Sequence, residues 1–139
     1  MSAPSAILST LVRIQNAVDH QDRDKFADCW TEDTRLWIKM FDGEVREFNG
    51  RDDLVRRVTA TWTGAHSEMR HLVGAAEVAM RNATEASAQF YCTYFAVGAS
   101  CHVVGLGEYH DLLVSGHDGL WRVKDRKHWF LTPMNLRPM

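Results

Sequence analysis

Residues 85–131 read EASAQFYCTYFAVGASCHVVGLGEYHDLLVSGHDGLWRVKDRKHWFL. Three long segments, Glu85–Val97, His102–Ser115 and Leu120–Leu131, are rich in aromatic and β-branched residues. Short turn signals, Gly98-Ala-Ser100 and His117-Asp-Gly119, separate them. Runs of this kind, bounded by Gly, Asn, Asp and Ser, read as strands joined by tight turns. Upstream, Met69–Met80 reads as a fourth long strand closed by Arg81-Asn82-Ala83. Gly74, Gly98, Gly105 and Gly107 are places where such a sheet can bulge or bend.

The first half has a different period. Ile7, Leu8, Leu11, Ile14 and Val18 recur at three- and four-residue spacing, so residues 5–18 read as an amphipathic helix with Ser5 as N-cap. His20-Gln-Asp-Arg-Asp24 is a polar break. A short second helix carries Phe26, Ala27 and Trp30 on one face, and Thr31-Glu-Asp33 closes it. Arg35–Phe41 and Glu44–Phe48 read as a hairpin around Asp42-Gly43. Asn49-Gly50-Arg51-Asp52 opens a third helix running to about Trp62, with Leu54, Val55 and Val58 as its buried stripe.

Three helices, an interposed hairpin and four long strands give an α+β layout, with the 139 residues forming one domain (1–139). The expected architecture is a cone-like, curved, mainly antiparallel sheet wrapped around three N-terminal helices, with one central pocket. On the third long strand Val104, Leu106, Leu112 and Val114 alternate with Gly105, Gly107, Tyr109, Asp111 and Leu113. Both faces therefore carry apolar residues, and the outer one calls for a homo-oligomer, a homodimer in its simplest form or a homotrimer.

Composition narrows the function classes. The net charge is 16 − 18 = −2, with no basic face for nucleic acid and no polybasic patch for a membrane. No run of 18 apolar residues occurs. Met1-Ser-Ala-Pro-Ser5 lacks the basic and apolar regions of a secretory leader, so a cytoplasmic location is expected. Cys29, Cys92 and Cys101 have no C-x-x-C spacing and read as small buried residues in a reducing compartment. The seven histidines include His66 and His71, five apart, and no set of Cys, His and carboxylate has zinc spacing. No nucleotide-binding or nucleophile-elbow motif is present, and Gly105-Leu-Gly107 reads as a strand feature. Neither metal nor cofactor is expected.

The run Ile14-Gln-Asn-Ala-Val-Asp-His-Gln-Asp-Arg-Asp-Lys-Phe26, followed by Trp30-Thr-Glu-Asp33, resembles the opening of the SnoaL-like family within the nuclear transport factor 2-like superfamily. Asn49-Gly-Arg-Asp-Asp53 resembles the start of that family's third helix. Gly107-Glu-Tyr-His-Asp-Leu-Leu-Val114, with Asp118-Gly-Leu-Trp-Arg-Val-Lys124, resembles its "G-x-Y-x-D-x-L-V…D-G-W-R-I" strands. These pieces span about residues 7–131. The superfamily holds polyketide cyclases, scytalone dehydratase, a dehydrochlorinase, ketosteroid isomerase and non-catalytic dioxygenase β-subunits, so fold alone does not give function.

By that resemblance Asp19, at the end of the first helix, stands where the dehydratase and dehydrochlorinase branches keep a catalytic Asp. His71 lies in Met69-Arg-His-Leu-Val73, and strand alternation sets Met69, His71 and Val73 on the pocket side. A neutral imidazole can take a proton from carbon, and a carboxylate on its other nitrogen fixes the tautomer and stabilises the imidazolium. The same residue types also suit a helix end and a core histidine. In several enzymatic relatives a Tyr precedes the Asp by five residues, and here that position is Ile14. A polar handle must then come from elsewhere, and Tyr91, Tyr94, Tyr109, His102 and His128 are the candidates. The isomerase's general-base Asp falls on Ile38, which cannot move a proton. The expected pocket lining is Ile14, Phe26, Trp30, Trp62, Tyr91, Tyr109 and His128, suited to a small hydrophobic ligand.

Two classes of function stay open at this point. One is a cofactor-independent lyase or isomerase using Asp19 and His71. The other is a non-catalytic ligand-binding or assembly module.

Overall fold

The computed structural model describes residues 2–62 and 68–134. Helix α1 (Ala3–Asp19) buries Ile7, Leu11, Ile14 and Ala17, the stripe its spacing dictates. It starts earlier than expected. The Ser2 hydroxyl, not Ser5, caps it by accepting the Ser5 N–H at 3.3 Å. Pro4 occupies the first turn, where a missing N–H breaks no helical bond. At the other end Gln21 adopts φ 53°, which turns the chain into α2 (Arg23–Asp28), capped by Asp22.

Trp30 does not extend the face of α2. The Cys29 N–H bonds back to Phe26 O and closes the helix, while Cys29 O accepts from Val123 N–H at 2.9 Å. That second bond draws the chain alongside the C-terminal strand. Trp30 therefore opens β1 (Trp30–Lys39), which absorbs the Thr31-Glu-Asp33 segment expected to end a helix. β1 and β2 (Val45–Asn49) form the hairpin around Gly43, whose φ of 96° favours glycine. Helix α3 (Arg51–Thr59) follows, its entry tied by the Asp53 carboxylate accepting from Asn49 N–H. It ends three residues short of Trp62, which lies in the turn beyond.

The expected strand Met69–Met80 is two strands, β3 (Met69–Val73) and β4 (Glu77–Met80), both paired with β5 (Glu85–Val97). The break is at Gly74, whose N–H bonds Tyr91 O at 2.8 Å. A Cβ there would meet that same oxygen at 3.0 Å, so the close approach wants glycine. β6 (Cys101–Ser115) and β7 (Trp121–Phe130) complete a seven-stranded sheet in the order β2-β1-β7-β6-β5-β3, with β4 also on β5. Every pairing is antiparallel except β1 with β7, which is parallel, so the curved, unclosed sheet is mixed. The helices contact its concave side, α1 against β3 and β7, and α2 and α3 against β1. No described helix is long and apolar enough to cross a membrane.

A bulge corrects the expected alternation on β6. Tyr94 pairs with Gly105 and Phe95 with Val103, so Val104 is unpaired and turns inward, 2% exposed. Leu106, Leu112 and Val114 stay on the outer face. Leu72, Tyr91 and Val103 are exposed there across β3, β5 and β6. Water-facing apolar residues on neighbouring strands favour cover by a second copy. Sedimentation at high micromolar concentration is expected to give a homo-oligomer, and a pure monomer would end that expectation.

Candidate active site

α1 packs on β3, and β3 is an edge of the sheet. An edge strand leaves backbone N–H groups unpaired. The His71 N–H is one, and Asp19 Oδ2 accepts it at 2.9 Å. The other carboxylate oxygen, Oδ1, lies 2.5 Å from His71 Nδ1. One carboxylate thus holds both backbone and ring of the same histidine. The Asp19 side chain is 4% exposed and that of His71 14%. Nδ1 is taken, which leaves Nε2 as the nitrogen free for chemistry.

His71 lines a cavity of about 160 Å³ on the concave side. Its wall also includes Val18, Val58, Trp62, Met69, Tyr94, Tyr109, His128, Phe130 and Met134. Among the described residues the wall is mainly apolar and carries no Lys, Arg, Asp or Glu. Larger grooves lie elsewhere. One of about 430 Å³ is lined by Arg35, Trp37, Glu47, Asp125, Lys127 and Trp129, and it brings no imidazole to a carboxylate.

Beneath the cavity three neutral polar groups meet. The Tyr94 hydroxyl is 2.7 Å from the Tyr109 hydroxyl and 2.7 Å from His128 Nε2. The His128 ring stacks on Tyr109 at 4.0 Å, and Tyr94 meets His71 edge-on at 5.1 Å. Burial pushes both tyrosine hydroxyls well above their ordinary range. Gly107 makes this meeting possible, because a Cβ there would overlap the Tyr94 hydroxyl and come within 2.9 Å of His128 Nε2. A Cβ at Gly105 would meet Met134 Sδ at 2.7 Å and press on the Tyr94 ring at 3.2 Å. Below lies a bidentate ion pair, Arg126 Nε to Asp111 Oδ1 at 2.8 Å and Arg126 Nη2 to Asp111 Oδ2 at 2.7 Å.

Burial holds His128 well below 6.5, with Arg126 and His71 adding to the effect. The unfolded chain takes up this proton near pH 6.5 while the folded chain resists it. The unfolded state then binds more protons, so stability is full above about pH 6.5 and falls as the pH drops. Urea unfolding is expected to be weaker at about pH 5.5 than at about pH 7.5, by about 1.4 kcal/mol if folded His128 stays neutral. His128→Gln should flatten that difference. An unchanged slope in the variant would assign it to another group.

The structure brings together Asp19, His71, Trp62, Tyr109 and His128. Ile14, Phe26 and Trp30 instead lie in the closed core, off the cavity wall. Tyr91 is on the outer face, 52% exposed, because strand parity turns Phe90, Cys92 and Tyr94 inward. Tyr94, which the expected pocket lining leaves out, occupies the centre between Tyr109 and His128. The signal for it is its inward parity opposite two glycines. His102 points to the concave side one row beyond His71, at the position opposite Ala96. His66 lies outside the described residues. Cys29 and Cys92 are buried, and burial raises their thiols to about 11 and about 12. Cys101, expected inside, is exposed at the start of β6.

A family model, the SnoaL-like domain, matches residues 1–127. Among solved structures, a protein of unknown function with a cystatin-like fold from Nostoc punctiforme is 18% identical, with TM-score 0.77 over 94% of this chain and 93% of that one. ActVI-ORFA from Streptomyces coelicolor is 17% identical, with TM-score 0.77 over 91% and 95%. A Novosphingobium aromaticivorans protein described as the beta subunit of an aromatic-ring-hydroxylating dioxygenase is 19% identical, with TM-score 0.74 over 92% and 88%. No curated protein matches the sequence at a significant level. At these identities the likeness speaks for the fold.

Proposed function

Because the chain belongs to the SnoaL-like domain family, we propose that it is a cofactor-independent lyase or isomerase of dehydratase or cyclase type. It acts on a small hydrophobic molecule through Asp19 and His71. The observation that carries this reading is the double hold of Asp19 on His71 at the wall of an apolar cavity. Asp19 fixes the proton on Nδ1, and Nε2 keeps its lone pair. Nε2 takes a proton from a carbon next to a carbonyl. The C–H bond breaks, an N–H bond forms, and the electron pair moves to the carbonyl oxygen. The imidazolium then returns the proton, to a second carbon in an isomerisation or to a departing hydroxyl, released as water, in an elimination. The apolar wall strengthens the Asp19–imidazolium attraction as it develops.

The second reading is a non-catalytic binding or assembly module. It is favoured by Ile14, which fills the core where several enzymatic relatives place a tyrosine. Incubation with a small aromatic ketone in D₂O separates the two. Wild-type protein is expected to catalyse exchange of the hydrogens beside the carbonyl, read by loss of their proton signal. Exchange at the buffer rate for a ketone that demonstrably binds the cavity would favour the binding module.

A further inference from the structure

Two hollows of the protein share a wall. Among the described residues, Phe130 and Met134 line both the apolar cavity that holds His71 and a groove of about 290 Å³ beside the β1–β2 hairpin. The groove continues over Met40 and Phe41 on the hairpin and over Thr132 and Pro133 in the segment after β7. Phe41 is 58% exposed, an aromatic ring left to water at the hairpin turn. The charges beside it pair with each other, Arg46 Nε with Glu44 Oε1 at 3.1 Å.

The two shared residues are held differently. Phe130 is the last residue of β7, in register with Gly107 on β6, and its ring packs 4.4 Å from His128 and 5.8 Å from Tyr94. It is a fixed part of the partition. Met134 is carried on the segment that leaves the sheet. Leu131 N–H ties that segment to Leu106 O at 2.9 Å, and the Thr132 hydroxyl accepts from Leu106 N–H at 3.1 Å. Pro133 then restricts the backbone just before Met134. The thioether lies over Gly105, where a Cβ would come within 2.7 Å of Sδ. The bare backbone at Gly105 is thus the seat of the sulfur.

Size gives this partition a consequence. An apolar cavity of about 150 Å³ accommodates a single benzene ring, and the cavity at His71 has about 160 Å³. Drug-sized ligands occupy about 300 Å³ or more, and the cavity alone falls short of that. We infer that Met134 sets the size of the ligand: its thioether closes the His71 cavity off from the hairpin groove, so the protein takes single-ring ketones and rejects those with an apolar extension. This rests on the proposed reading of the cavity as the substrate site. Methionine suits the role, since an unbranched apolar chain fills an irregular gap. Alanine in its place joins the two spaces and opens the way to Met40 and Phe41.

The test follows acetophenone and 4-butylacetophenone by ¹H–¹⁵N spectra of the wild type, Met134→Ala and Met134→Leu. The wild type is expected to bind acetophenone, and the butyl compound at least about tenfold more weakly, as forced overpacking requires. In Met134→Ala the preference should reverse, because each methylene taken out of water is worth about fourfold. The amide signals of residues 40–44 should then move with the butyl compound and not with acetophenone. Met134→Leu nearly keeps the volume and should keep the wild-type preference. The same ratio of affinities in the wild type and Met134→Ala overturns the inference. So does movement of the hairpin signals in the wild type, and so does failure of both ketones to move any cavity signal. Should Met134→Ala not fold, Met134→Val makes a smaller opening and is read in the same way. A preference that switches while α-hydrogen exchange stays at the buffer rate supports Met134 and ends the general-base reading. Exchange that depends on His71, with no switch of preference, does the reverse.

Discussion

His71→Ala is expected to lower α-hydrogen exchange by ~10²–10⁴-fold, the usual contribution of a positioned general base. The size follows from what is removed. Nε2 is the one lone pair that Asp19 leaves free on the ring, and alanine offers none. Asp19→Asn is expected to lose activity of a similar order by a different route. The carboxylate accepts two donors, the His71 N–H at 2.9 Å and Nδ1 at 2.5 Å. An amide has one acceptor oxygen. If that oxygen keeps the backbone N–H, the amide NH₂ faces Nδ1 and forces the proton onto Nε2. The base is then in the wrong tautomer although the shape is unchanged. The exchange assay reads both variants beside circular dichroism to confirm folding. A folded His71→Ala protein that keeps wild-type exchange would end the mechanism.

The meeting of Asp19 and His71 follows from two short-range rules. A helical stripe of Ile7, Leu11 and Ile14 fixes which face of α1 is buried, and the helix end then sets Asp19 toward the sheet. Strand parity sets His71 on the same side as Met69. Parity also separates Tyr94 from Tyr91, but only once the inward set Phe90, Cys92 and Tyr94 is known. What alternation cannot reveal are the bulges. One turns Val104 inward. Another lies between Leu112 and Leu113, where Lys124 slips out of register. Beyond that slip Arg126 faces the core and Lys124 the solvent. A strand of charged residues, Lys124-Asp-Arg-Lys127, gives no local sign of which charge is buried. Trp30 failed to stay helical for a related reason: its environment is set by Val123, far along the chain.

Arg126→Met is expected to be the most destabilising single change in the core. The Arg126 and Asp111 side chains are 4% and 0% exposed, on facing positions of β7 and β6. The guanidinium is held bidentate by Asp111 and lies 4.9 Å from the Tyr109 ring and 5.1 Å from the Trp30 ring. Burial alone raises the Asp111 carboxyl, and the guanidinium opposes this by charge and by hydrogen bonding. Methionine fills much of the arginine volume but leaves Asp111 as an uncompensated buried acid. Breaking one side of such a pair costs about 3–5 kcal/mol. For a chain of this size that is a drop in Tm of about 10–20 °C. The double variant Asp111→Leu with Arg126→Met removes both charges together, and most of the loss should return. Thermal unfolding of the two variants makes the comparison. A single variant within about 1 kcal/mol of wild type would mean the pair is not closed to water. Recovery in the double variant would identify the lost stability as the stranded Asp111 charge rather than lost packing around Tyr109.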